Sequence, residues 1–135
     1  MHHIRGVDAV PVVYALCRGY LVVPIDRIKD KRTLTLQRVR NITSDRRCVL
    51  LIEGWEEDWA RLWWVRVHGM ASLLDSTMMA HAIDALAERY PQYRTEGAVV
   101  AALGLQPARL SGWAAPGASE IPSARPPVAV PKLLL

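Results

Sequence analysis

The sequence predicts a mainly β domain, an antiparallel sheet with two helices that closes toward a small barrel. Three observations predict it. Strand-like apolar runs occur at Val10–Leu16, Tyr20–Ile25, Cys48–Ile52, Leu62–Leu74 and Ala98–Leu105. Helical periodicity appears in only two stretches, near Thr33–Thr43 and after Asp75. The order is therefore β-β-α-β-β-α-β, and many short, mostly antiparallel strands favour closure of the sheet.

The elements follow in turn. Val10-Pro-Val-Val-Tyr-Ala-Leu16 and Tyr20-Leu-Val-Val-Pro-Ile25 flank Cys17-Arg18-Gly19, a turn that reads as a hairpin. Pro11 and Pro24 donate no ladder hydrogen bond, which places both at strand ends, bulges or edges. From Thr33 the pattern switches: Leu36, Val39, Ile42 and Thr43 recur at helical spacing, with Gln37, Arg40 and Asn41 opposite, and Ser44-Asp45 ends the helix. Cys48–Ile52 is continuously apolar and reads as a strand buried on both faces.

Gly54–Arg61 is an acidic, Trp-bearing connection, and Leu62–Leu74 is a long strand in which Gly69 marks a bulge or bend. Asp75-Ser76-Thr77 supplies N-cap chemistry for a helix whose Met78, Ala82, Ala85, Leu86 and Tyr90 share a face. Pro91 stops that helix. Ala98–Leu105 is the last core strand, with Leu110-Ser-Gly-Trp113 beyond it. These elements define one domain over residues 1–115, and the Pro- and Ala-rich residues 116–135 read as a disordered tail.

Composition narrows the functional classes. A chain of 135 residues with 51% hydrophobic and 22% charged residues can bury a core without metal or disulfide staples. Cys17 and Cys48 stand alone in apolar contexts and read as core residues of a reducing compartment. Met1-His2-His3-Ile4-Arg5 leads into no signal-peptide core, and no apolar run approaches the roughly 20 residues that span a bilayer. A cytoplasmic protein without membrane contact is the expectation. GxSxG, P-loop and GxGxxG patterns are absent, as is any metal-ligand spacing of His, Cys and carboxylates, so no metal site is expected.

Charge is the sharpest signal. Eight of the seventeen Lys and Arg residues lie between Arg27 and Arg47, opposed only by Asp30 and Asp45. The run sits between apolar segments, so it belongs to the folded domain. A cationic helix start of this kind suits a bound phosphate, because Lys and Arg side chains add to the orphan N–H groups of the first turn. Nucleic acid is the weaker reading, since no aromatic platform is interleaved with these cations.

Several segments resemble a known family. Val10-Pro-Val-Val-Tyr-Ala-Leu16, Lys29-Asp-Lys-Arg-Thr33, and Arg38-Val-Arg-Asn-Ile42 followed by Arg46-Arg-Cys-Val-Leu-Leu51 resemble the pyridoxamine 5'-phosphate oxidase-like split-barrel superfamily. Glu57-Asp-Trp-Ala-Arg-Leu-Trp-Trp-Val-Arg66 with His68-Gly69, Ala87-Glu-Arg-Tyr-Pro-Gln-Tyr93 and Leu110-Ser-Gly-Trp113 are similar to its actinobacterial branch of oxidoreductases dependent on the deazaflavin coenzyme F420. The resemblance spans Val10 to Ala115.

It implies a six-stranded Greek-key split barrel, and a homodimer with two cofactors at the subunit interface. The cofactor is F420, with FMN as the alternative. The family's basic motif falls on Lys31 and Arg32, which would hold the phosphate, with Arg38, Arg40 and Asn41 farther along the helix. Trp63 and Trp64 are adjacent on a strand and face opposite sides; one fills the barrel while the other, taken as Trp64, reaches the cofactor ring or the dimer interface. The implied activity is hydride transfer to a small unsaturated organic substrate. No residue is nominated as catalytic, since the hydride chemistry belongs to the cofactor. The alternatives are a non-catalytic flavin or deazaflavin carrier or remnant, and an FMN-dependent oxidase of the pyridoxamine phosphate oxidase type. Family members carry a helix and a strand ahead of the segment matching Val7-Asp8-Ala9. Only Met1 to Gly6 precede it here, so the resemblance implies a barrel short of one strand, with an exposed sheet edge.

Around these candidates, Arg61 and Arg66 have Glu56, Glu57 and Asp58 as carboxylate partners within reach in sequence. Arg46 and Arg47 close the basic helix, where cations are favourable. His68 reads as a hydrogen-bonded strand histidine and His81 as a surface residue.

Overall fold

The computed structural model describes residues 9–26, 39–118 and 132–134. Seven strands form one antiparallel sheet in the order β1-β7-β4-β5-β6-β3-β2. The strands are β1 (Ala9–Pro11), β2 (Ala15–Cys17), β3 (Tyr20–Asp26), β4 (Arg47–Gly54), β5 (Trp63–Leu73), β6 (Val99–Ala114) and β7 (Lys132–Leu134). Residues 39–44 are helical (α1), and Ser76–Arg89 form α2. The mainly β architecture with two helices agrees with the expectation from sequence.

The hairpin stands where the turn chemistry puts it. Arg18 and Gly19 both have positive φ, 49° and 84°, which matches the primed two-residue turn between β2 and β3. The single strand expected over Val10–Leu16 is instead divided. Pro11 ends β1, which pairs with β7, and β2 starts four residues later to pair with β3. A residue with fixed φ and no N–H cannot carry one ladder through this stretch. Pro24 lies in β3 beyond the reach of β2, paired only with Ala102 of β6, so its missing donor costs no ladder bond there.

The sheet curves around a single core. Leu21 and Val23 of β3 share one buried cluster with Leu50 and Ile52 of β4, although β5 and β6 separate those strands in the sheet. Only a rolled sheet brings them together. In β4 burial alternates, with Cys48, Leu50 and Ile52 buried and Val49 and Leu51 half-buried. This corrects the expectation of a strand buried on both faces: a continuous apolar run does not by itself distinguish a two-sided environment from a one-sided one.

A second cluster forms on the outer face. The Asp75 carboxylate accepts the N–H of Met78 at 2.8 Å and caps α2. Ala82 and Leu86 are completely buried against Val22, Ala15 and Cys17, with Met78, Ala85 and Tyr90 packed around them, so the expected helical face is the one that docks. The C-terminal end of α2 is clamped to the β1–β2 connection. Arg89 donates to the Tyr14 carbonyl at 3.0 Å with its guanidinium 4.3 Å from the Tyr14 ring centre, and the Tyr90 hydroxyl donates to the same carbonyl at 3.0 Å.

Between β5 and β6 the register shifts after His68: His68 pairs with Arg109 and Gly69 with Pro107, leaving Ala108 as the extra residue. The bulge is where Gly69 indicates, with the inserted residue on the partner strand. A Cβ at Gly69 would lie 2.1 Å from the Gln106 carbonyl oxygen, so this approach requires glycine.

The chain end departs from the sequence reading. Pro116–Ala118 form a 3-10 turn against the 3-10 turn Trp59–Arg61, with Ala118 buried, and Lys132–Leu134 form β7 between β1 and β4. Both pieces lie in the stretch 116–135 expected to be disordered. Three-residue elements that pair with distant strands leave no periodicity to read. The β4 edge is paired by β7 along Val49–Leu51. No helix among the described residues is long and apolar enough to cross a membrane.

Candidate functional site

Alternation along β5 sorts the tryptophan pair. Trp63, Val65, Val67 and Ala71 point into the rolled sheet, Val67 with 3% of its surface exposed. Trp64, Arg66, His68 and Met70 therefore line the opposite, outer face. Trp63 is the barrel-filling member of the pair and Trp64 the outward one.

Cross-strand register then sets what each outward residue meets, because directly opposed residues share a face. Trp64 is opposite Trp113 on β6 and Glu53 on β4; Arg66 is opposite Ser111 and Leu51; His68 is opposite Arg109 and Val49. The Arg66 guanidinium lies 4.6 Å from the Trp64 ring centre, a cation–π stack on the same strand. Arg109 Nη2 lies 3.2 Å from His68 Nδ1 and 3.5 Å from His68 Nε2, so the guanidinium sits beside the imidazole ring. Met70 and Trp113 are exposed, Trp113 by 50%. The result is an outer sheet face with two indoles opposed in register, one guanidinium stacked on Trp64 and a second at His68.

Of the residues singled out in sequence, Lys31, Arg32 and Arg38 lie outside the described residues. Arg40 is exposed on α1 and Asn41 is half-buried, while Val39 and Ile42 of the same helix face the core. Trp64 is on the outer face of β5. The structure thus joins Trp64 to Arg66. Arg46 and Arg47 are structural. Arg46 donates through Nε to the Ala71 carbonyl at 3.3 Å and accepts from the Ala71 N–H, fixing the end of α1 to β5. Arg47 forks onto Asp45, 2.7 Å at the shorter contact, and this partner holds the exposed Asp45 carboxyl down at about 2. Arg61 pairs with Glu56 at 3.2 Å, whereas Arg66 stacks on Trp64. His81 is half-buried, not at the surface. Arg109 and the Trp64–Trp113 pairing escaped the sequence reading. The only signal for them is the register across the Gly69 bulge, which local patterning does not report.

Two further features are chemically quiet. Cys17 and Cys48 are buried free thiols, and burial pushes the Cys48 thiol up to about 11, which keeps it protonated at neutral pH. An open cavity of 330 Å³ lies between α2 and the segment 93–99, with Ile83, Tyr93 and Val99 below and Asp84, Arg94 and Glu96 around it. It shares no residue with the β5–β6 face. Among the described residues, no group of three or more His, Cys, Asp or Glu side chains gathers to hold a metal.

No family model and no curated protein matches the sequence. Solved structures do match. A protein of unknown function from Agrobacterium tumefaciens superimposes with a TM-score of 0.55 at 14% identity, over 79% of this chain and 43% of that one. A heme-binding protein from Mycobacterium smegmatis gives a TM-score of 0.46 at 17% identity, over 79% of this chain and 47% of that one. This chain spans less than half the length of each. At such identity the first likeness concerns the fold alone. The fold is split-barrel-like and mainly β.

Proposed function

We propose that this protein is an oxidoreductase of the pyridoxamine 5'-phosphate oxidase-like split-barrel superfamily that uses the deazaflavin coenzyme F420, with FMN as the alternative cofactor, and that it works as a homodimer. The sequence segments between Val10 and Ala115 that resemble the F420 branch support this reading, and a split-barrel-like fold is compatible with it. The observation that carries it is the outward Trp64, opposite Trp113 and stacked by Arg66.

The donor set suits the group. A tricyclic ring needs a flat apolar platform, and its phosphate and acidic substituents need cations that keep their charge at any working pH; indole and guanidinium supply these. When bound, the cofactor supplies hydride chemistry, delivered to a small unsaturated substrate. The chain's own residues bind and orient. Trp64 and Trp113 offer the platform, Arg66 and Arg109 hold anionic groups beside it, and Lys31 with Arg32 hold the phosphate. The Arg109 guanidinium stands beside the His68 ring on this face. Exposed Trp113 suits burial by a second subunit, which would also shield the site from water.

The test is a tryptophan-fluorescence titration with F420 and, in parallel, FMN. Saturable quenching by F420 alone supports the assignment; quenching by FMN alone moves the protein to the flavin branch. Binding without turnover over a panel of unsaturated substrates would make it a carrier, and no binding by either cofactor would refute the proposal. Lys31→Ala and Arg32→Ala should each weaken cofactor binding by about 1–3 kcal/mol, the usual loss for a charge-assisted hydrogen bond. Unchanged affinity in both would remove the phosphate cradle from the account. Light scattering should return the mass of a dimer.

A further inference from the structure

The strand β7 has an unusual position for three residues so far along the chain. It lies between β1 and β4, in register with both: Leu133 is opposite Val10 on one side and Leu50 on the other. β1 stands at the end of the sheet order, and among the described residues its neighbour is β7, so in the described sheet β1 is joined through this segment. Leu50 is completely buried and Val10 packs against the same core, so the Leu133 register position falls between two core-contributing residues.

The strand is short. It has three register positions on each side, Lys132–Leu134 against Ala9–Pro11 and against Val49–Leu51. A three-residue strand is held by few backbone bonds, unlike β5, which pairs over most of its length on both sides. Short, locally held elements occupy the low end of opening free energies within a fold.

We infer that the gap between β1 and β4 is a strand-acceptor slot, and that Lys132–Leu134 is its detachable occupant, supplied by this chain's own C-terminal segment. With the segment in place, the β4 edge at Val49–Leu51 is covered. With it out, β1 loses its partner among the described strands, and the bared β4 edge becomes a template for another extended segment. The bared edge adjoins the outer face, since Val49 and Leu51 are opposite His68 and Arg66. The inference is independent of the cofactor assignment.

Hydrogen exchange on the full-length chain tests it. In the wild type, the amides of β1 and those of β4 directed at β7 should exchange faster than the amides shared by β5 and β6. Leu133→Pro removes the central donor of β7. It should abolish protection in β1 and along the β7-facing edge of β4, while β5–β6 protection and the unfolding midpoint persist. An excess of a peptide spanning Val128–Leu135 should then restore protection to that variant in trans. Uniform loss of protection or global unfolding of Leu133→Pro would overturn the inference, because a detachable strand leaves the rest of the domain standing. Unchanged exchange at the β4 edge, or failure of the peptide to rescue it, would overturn it equally.

Discussion

The outer face of the sheet has two halves that treat their side chains differently. Over β2, β3 and the first half of β6, α2 covers the sheet, and Val22, Ala82 and Leu86 are completely buried beneath and within it. Over β4, β5 and the second half of β6, no described element covers it, and Trp64, Arg66, His68, Arg109 and Trp113 stand there partly or fully exposed. The same strand, β6, takes part in both: residues 99–102 pair with β3, residues 103–105 with both β3 and β5, and residues 106–114 with β5. The covered half is closed by apolar packing, so its side chains are spent on stability. The open half holds large aromatic and cationic groups in place without burying them, which is the disposition of a binding surface.

Substitutions can break that contrast or sharpen it. The largest effect is expected at Leu86. Leu86→Ala would leave a void under α2 and cost about 2–5 kcal/mol of stability in denaturant unfolding. A loss below 1 kcal/mol, on the order of a surface substitution, would mean that α2 does not seal this half of the sheet. Gly69 is next, at the seam between the halves. Gly69→Val would push against the Gln106 carbonyl and cost about 1–3 kcal/mol, with loss of the β5–β6 register in amide exchange. Cys48 gives a smaller, pH-dependent effect. Its thiol titrates near 9 when exposed and at about 11 in the fold. The folded state therefore holds a proton that the unfolded chain releases, so stability is kept below pH 9 and declines as pH rises toward 11. Urea midpoints across that range, compared with Cys48→Ala, would show it. The smallest effect belongs to the open half: Trp113→Ala should leave stability within about 0.5 kcal/mol.

How far this was legible from sequence divides along the same line. The hairpin at Arg18-Gly19, the Asp75 cap, the docking face of α2 and the Gly69 bulge all come from local chemistry, in which a residue's neighbours in sequence are its neighbours in space. The opposite sides taken by Trp63 and Trp64 follow from the two-residue period of a strand. What sequence alone could not supply is non-local. The pairing of Trp64 with Trp113 and of His68 with Arg109 depends on a register that the bulge shifts by one residue. The strand at Lys132–Leu134 depends on a partner 81 or more positions away, and composition argued against any strand there. Cys48–Ile52 failed for a different reason: five apolar residues in a row are compatible with one buried face or two. Arg40 and Asn41 stayed ambiguous because helical periodicity says which side faces the core and not which exposed cation meets a ligand.

In the proposed function the open half, and Trp64 in particular, forms the cofactor platform. Calorimetric titration of F420 into the wild type, Trp64→Leu, Arg66→Ala and Trp59→Leu tests it most directly, since Trp59 is an exposed indole outside β5 and serves as the control. The account predicts that Trp64→Leu and Arg66→Ala each lose affinity by about tenfold, roughly 1.4 kcal/mol, with unfolding midpoints unchanged, while Trp59→Leu binds as the wild type does. Undiminished affinity in Trp64→Leu, or an equal loss in Trp59→Leu, would contradict it.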